Sequence, residues 1–157
     1  MTNSPSPQPK AYLGCVPHVP FTVLQDRELN APFWQACEAQ AARIAAFDPD
    51  LVIAFGSDHY SGMHLRLMPS FAVGMAAEAV ADDGGYPGKL NVPADLAYAC
   101  AAHVIEAGMD VATSHAMEVD HGFSAPLTHY FGGIAAKPVI PVFVNALAEP
   151  RPTFRRC

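Results

Sequence analysis

The chain has 157 residues, 51% of them apolar and only 15% charged, with nine Lys and Arg against fifteen Asp and Glu for a net charge of −6. That length suits one domain with a core of its own, and the composition excludes a disordered chain or a coiled coil. The acidic balance argues against a nucleic-acid partner, which needs a basic stripe to displace counterions, and no apolar run approaches the ~18 residues that span a bilayer.

Residues 1–10, MTNSPSPQPK, hold three prolines and two serines and nothing resembling a signal peptide, so they are expected to form a mobile leader on a cytoplasmic protein. Ala11 to Val16 is expected as a short buried strand. Asn30 then caps a helix with Pro32 in its first turn, and Trp34, Cys37, Ala41 and Ile44 recur at helical spacing until Asp48-Pro49 ends it. The run Leu51 to Phe55 is too short for a helix and predicts a second central strand. Further strands are expected over Phe71–Met75, Met109–Ser114 and Val139–Val144. Pro93 opens a helix that Gly108 closes, and Ser124 and Pro126 start a short one that ends at Gly132-Gly133. Strands alternating with helices predict an α/β fold, a mainly parallel sheet with helices on both faces. The four cysteines, Cys15, Cys37, Cys100 and Cys157, show no CxxC pair and are expected as reduced, mostly buried thiols. The chain closes on RPTFRRC, where such a fold would ordinarily enter its next helix, so the domain is expected to be incomplete at its C-terminus.

Seven histidines are many for this length. In an open parallel sheet, ligands bind in loops beyond the carboxyl ends of the strands. His18 follows the first expected strand, His59 the second, and His121 lies in the loop after Met109–Ser114, so all three are expected on one rim. Pro17 and Pro20 would stiffen the His18 loop, and Asp58 beside His59 is a candidate acceptor that fixes a ring tautomer. His64, His103, His115 and His129 carry the plainer reading. His103 is expected as a half-buried packing residue and His129 at the surface. No GxSxG elbow or phosphate loop is present, and Gly84-Gly85, behind Asp82-Asp83, reads as an acidic turn that needs glycine.

Ala11-Tyr12-Leu13 leading to Pro17-His18, the stretch from Ile44 to Val52 leading to Asp58-His59-Tyr60, and Val119-Asp120-His121-Gly122-Phe123 leading to Pro138–Phe143 resemble the class III extradiol ring-cleavage dioxygenases. The resemblance runs in order over nearly the whole chain from Ala11. It implies a non-haem Fe(II) enzyme that uses O₂ to open a catechol bearing a carboxylated side chain, beside its hydroxyls rather than between them. It also implies His18 and His59 as the two imidazole ligands of a two-histidine, one-carboxylate triad, His121 as an acid–base group, and Asp120 as its support.

In that family the carboxylate ligand, a glutamate, and a second acid–base histidine come from a C-terminal half. Asp58, Glu118 and Asp120 do not match that ligand. Residues 11–157 are therefore expected as the N-terminal part of a single catalytic domain. Two other readings stay open: a zinc-dependent hydrolase on the same rim, since neutral imidazoles also suit zinc, and a non-catalytic relative that binds a partner. Arg66 and Lys89 are expected as solvated surface, and the sequence leaves open whether the protein forms a homo-oligomer.

Overall fold

The helical segments owe their limits to prolines, left-handed turns and apolar spacing, and Asn30, expected to cap the first of them, makes no side-chain capping hydrogen bond. A computed structural model describes residues 11–19 and 21–157, so the expected leader over residues 1–10 lies outside the described residues, as does Pro20. After a single 3-10 turn, Phe21–Leu24, helix α1 (Ala31–Phe47) starts behind Asn30 with proline in its first turn, buries Trp34, Cys37 and Ile44, and stops where Asp48 turns left-handed at φ 48°. Helix α2 (Ala94–Glu106) follows Pro93 and buries Ala97 and Ala101, the small residues that let it lie close to a sheet. Helix α3 (His121–Phe131) is capped by Asp120, whose side chain accepts from the Gly122 N–H, and is closed by Gly132 at φ 80°, a conformation that glycine adopts without strain.

The strands are β1 (Val52–Gly56), β2 (Phe71–Gly74), β3 (Ala77–Ala79), β4 (Gly88–Lys89), β5 (Ala112–Ser114), β6 (Met117–Val119) and β7 (Val139–Val144). They form two open sheets, one in the order β1-β7-β2-β5 and a smaller one in the order β4-β3-β6. Pairing is parallel in β1–β7, β2–β5 and β3–β6, and antiparallel in β2–β7 and β3–β4.

Alternation along the strands divides the core between two faces. Ala72, Val139 and Phe143 pack with Phe123 and Leu127 of α3, whereas Val73 and Ile140 pack with Ala97 and Ala101 of α2. Helices thus cover both faces of the larger sheet, as expected. A third cluster, Phe21, Trp34, Cys37 and Ala125, locks α1 onto α3. Gly56 is what lets α3 close on the end of β1, because a Cβ there would stand 2.6 Å from the Phe123 ring.

Several expectations are corrected. Ala11 to Val16 forms no strand and is mostly exposed. β1 is an edge strand rather than a central one, with Ile53 47% and Phe55 71% exposed, so its apolar run does not report burial on both sides. The strand expected from Met109 is confined to Ala112–Ser114. α3 begins at His121, three residues before Ser124, because the Asp120 cap wins over the serine. The small sheet was not expected at all, its two- and three-residue strands being too short to show a period. Of the cysteines, all free, only Cys37 is buried; Cys100 is half-buried and Cys15 and Cys157 are exposed. No helix among the described residues is long and apolar enough to cross a membrane.

Candidate metal centre

Three chain segments converge at the carboxyl ends of β1 and β6 and on the loop that carries His18. β1 runs into Asp58-His59, and β6 runs directly into Asp120-His121 at the start of α3. One ligand atom from each of His18, His59, Asp120 and His121 lies within 4.8 Å of all the others. The rings of His59 and His121 stack at 4.9 Å, and that of His18 stands edge-on to both, at 4.7 and 5.1 Å. The three expected histidines therefore do meet, although no strand precedes His18 and His121 follows β6 of the small sheet rather than β5.

Asp120 is fully buried and uses both carboxylate oxygens. Its Oδ1 accepts the Gly122 N–H at 2.8 Å and so caps α3, while Oδ2 accepts the His59 backbone N–H at 3.1 Å and meets His59 Nδ1 at 2.7 Å. His18 Nε2 stands 3.5 Å from the same Oδ2. Burial by itself would raise the Asp120 carboxyl, but hydrogen bonds from His18, His59 and the Gly122 N–H outweigh it and hold the group well below the ordinary carboxylate range. A fixed negative charge thus lies under two imidazoles. With its Nδ1 engaged by a carboxylate, His59 keeps Nε2 for another partner, the arrangement typical of a histidine that binds a metal.

The His121 ring turns elsewhere, so the support for it that the resemblance implies from Asp120 does not reach the ring: Asp120 meets His59 and His18 instead. Its Nδ1 lies 2.6 Å from Asp82 Oδ2, which also accepts the His121 backbone N–H at 3.1 Å. Its Nε2 is buried and has no hydrogen-bond partner. An orphaned buried imidazole nitrogen is costly to leave unsatisfied, and this one is on a ring that belongs to the group of four. Three imidazoles, one of them with an unpaired Nε2, beside a carboxyl held low fit a divalent cation.

Asp58 does not act as the acceptor expected for His59. It is buried and accepts the backbone N–H groups of Gly62 at 3.2 Å and Met63 at 3.0 Å, bracing the loop that presents His59. Burial pushes its carboxyl up despite those donors. Gly62 is needed in that loop because a side chain there would run into the Glu118 carbonyl. Gly122 has a similar role for His18, whose ring occupies the space a Cβ would take.

Sequence reasoning missed Asp82 as a site residue. The doublet Asp82-Asp83 before Gly84-Gly85 was legible only as a turn, because its contact with His121 spans 39 residues and follows no local spacing. The remaining histidines lie outside the cluster. His64 and His115 are exposed, and so is His103, against the expectation that it packs. His129, expected at the surface, instead packs its ring against Phe21 at 5.5 Å and Trp34 at 5.6 Å. Arg66 and Lys89 are exposed.

Residues 12–157 match the family model described as the catalytic LigB subunit of aromatic ring-opening dioxygenase. The chain is 50% identical over 148 residues to 2,3-dihydroxyphenylpropionate/2,3-dihydroxicinnamic acid 1,2-dioxygenase 1 of Pseudomonas putida, a match that covers 93% of this chain and 47% of the relative. It is 50% identical over 146 residues to the enzyme of that activity from Mycolicibacterium vanbaalenii, covering 92% of this chain and 46% of the relative. Identity to the Escherichia coli O139:H28 enzyme is 44% over 152 residues, covering 93% and 47%. The chain spans about half the length of the curated relatives it matches. With the match running from residue 12 to residue 157, the chain belongs to the family of the catalytic LigB subunit of aromatic ring-opening dioxygenases.

Proposed function

We propose that this chain carries the metal and acid–base half of an extradiol dioxygenase that opens a catechol with a carboxylated side chain, of the 2,3-dihydroxyphenylpropionate kind, in the cytoplasm. The observation that carries the reading is the convergence of His18, His59, Asp120 and His121 with an unpaired buried Nε2 on His121. His18 and His59 would hold Fe(II), and Asp120 would orient them through its Oδ2. When bound, Fe(II) supplies Lewis acidity toward the catechol hydroxyls and the redox chemistry for O₂.

The protein's own part is proton movement and placement. His121 Nε2, unpartnered, takes the proton of a catechol hydroxyl, and the same nitrogen returns a proton later in the reaction. Both atoms of O₂ enter the product, and the carbon–carbon bond that breaks is the one beside the two hydroxyl-bearing carbons. His59 is braced by Asp120 and by the Asp58 loop, and His18 stands against the same Asp120 oxygen. Membership of a ring-opening dioxygenase family and similarity to named catechol dioxygenases count against the zinc-hydrolase and non-catalytic readings.

The test is oxygen uptake by the full-length protein, loaded anaerobically with Fe(II) or Zn(II) and given 2,3-dihydroxyphenylpropionate. Uptake coupled to a yellow ring-opened product with Fe(II) and none with Zn(II) is expected. Absence of uptake with stoichiometric Fe(II), or hydrolysis dependent on Zn(II), would contradict the reading.

A further inference from the structure

The two buried-side acids of the site attend to different rings. Asp120 holds His59 and reaches His18, and makes no hydrogen bond to the His121 ring. Asp82 holds His121 alone, and one oxygen, Oδ2, receives both the His121 backbone N–H at 3.1 Å and Nδ1 at 2.6 Å. This two-point attachment fixes ring and backbone together at the first residue of α3. An ionised carboxylate has no proton to give, so the imidazole nitrogen facing it must be the donor. The other nitrogen of a neutral ring is then a bare acceptor, and that nitrogen is the orphaned Nε2.

The turn that delivers Asp82 is built around this contact. Gly84 takes φ 75°, and the Gly85 N–H closes onto the Asp82 carbonyl at 3.1 Å. A Cβ on Gly85 would overlap Asp82 Oδ1, so that glycine makes room for the carboxylate. Beyond it, the Tyr86 N–H donates to Ser124 Oγ at 3.0 Å, and Ser124, fully buried on α3, ties the far end of the turn to the helix that carries His121. The Asp82 side chain is 19% exposed and that of His121 6%, so water competes little for the bond.

We propose that Asp82 is a positioning residue that holds His121 as its Nδ1–H tautomer and thereby presents an unprotonated Nε2 to the substrate hydroxyl. The role rests on the acid–base reading of His121 given above. A ring released from Asp82 would relax toward the Nε2–H form that imidazole favours in water, placing a proton where the base needs a lone pair. The relation is the one by which a carboxylate fixes the tautomer of a working histidine.

Two measurements test it in the full-length protein. The first is long-range proton–nitrogen NMR of the metal-free protein with ¹⁵N-histidine, well above the histidine titration range, with His121 assigned by its loss in His121→Gln. The expected ring has a protonated Nδ1 and a bare Nε2. Asp82→Asn, which keeps an acceptor oxygen, should preserve that tautomer. Asp82→Ala, and Gly85→Ala, which pushes the carboxylate aside, should shift it toward Nε2–H. The second measurement is steady-state turnover after Fe(II) loading, where Asp82→Ala should lower kcat by about 10- to 100-fold with KM little changed, the scale on which a residue orienting a functional imidazole acts. Asp82→Asn should recover most of that loss. An Nε2–H ring in the unsubstituted protein, or an unchanged tautomer in a folded Asp82→Ala, would overturn the assignment of Asp82. Undiminished turnover by His121→Ala would instead overturn the acid–base reading on which the role depends. Should Asp82→Ala not fold, the spectrum of the unsubstituted protein and that of Asp82→Asn still decide.

Discussion

Gly122 joins cap, helix and His18 in a single residue. Its N–H is the donor that Asp120 Oδ1 accepts, and the space beside its Cα is filled by the His18 ring. Gly122→Ala opposes two effects. Alanine is the better helix former by about 1 kcal/mol in a helix interior, and somewhat less in the first turn, which favours α3. Its Cβ, however, meets three atoms of the imidazole. The clash falls on a loop histidine that can swing away, so the fold should survive and the ligand should move. Thermal stability is expected within about 1 kcal/mol of the parent, with metal retention strongly reduced. Equal metal retention in a folded Gly122→Ala would show that His18 does not depend on this packing. The three histidines of the cluster were legible because each stands in a loop near an expected strand end. Asp120 was found by resemblance, and Asp82 by neither route, since nothing in an acidic turn reveals which ring it will meet 39 residues on.

Among the elements, the α1–α3 contact has the clearest pH signature. His129, on the last turn of α3, lies among Phe21, Trp34 and Tyr130 with a buried Nε2 that has no partner. Burial, and then the charge of Arg27, lower its pKa below 6.5. In the window between that lowered value and 6.5, the unfolded chain binds a proton that the folded chain refuses. Stability is therefore full above pH 6.5 and falls as the pH drops through the window. Chemical denaturation across pH 7 to 5 should show a loss that His129→Gln reduces; the same slope in both proteins would remove His129 from the account. α1, α2 and β7 were readable in advance because long apolar periods and their caps act locally. The segment Ala11–Val16 and the centrality of β1 were misread because an apolar run states what a strand prefers, not which neighbours it obtains. β3, β4 and β6 exist through pairing with one another and leave no period of their own.

For the whole molecule, two sheets and α3 bring distant segments to one point, where Asp58, Asp82 and Asp120 gather around three imidazoles. On the outside, β1 is an edge strand presenting Ile53 and Phe55 to solvent, an apolar template for pairing with another chain. Phe55→Lys should reduce light scattering by the 157-residue chain while leaving its near-UV circular dichroism intact; undiminished scattering would place the sticky surface elsewhere. The central claim is that His18 and His59 hold the metal while His121 works beside it. Its most direct test is the iron stoichiometry of the full-length protein after Fe(II) loading and desalting, in His18→Ala, His59→Ala and His121→Ala together. Removing one of three protein ligands should strip the iron from the first two, whereas His121→Ala should retain it and lose about 10²- to 10⁴-fold in turnover. Iron kept by His18→Ala and His59→Ala, or lost by His121→Ala, would contradict the account.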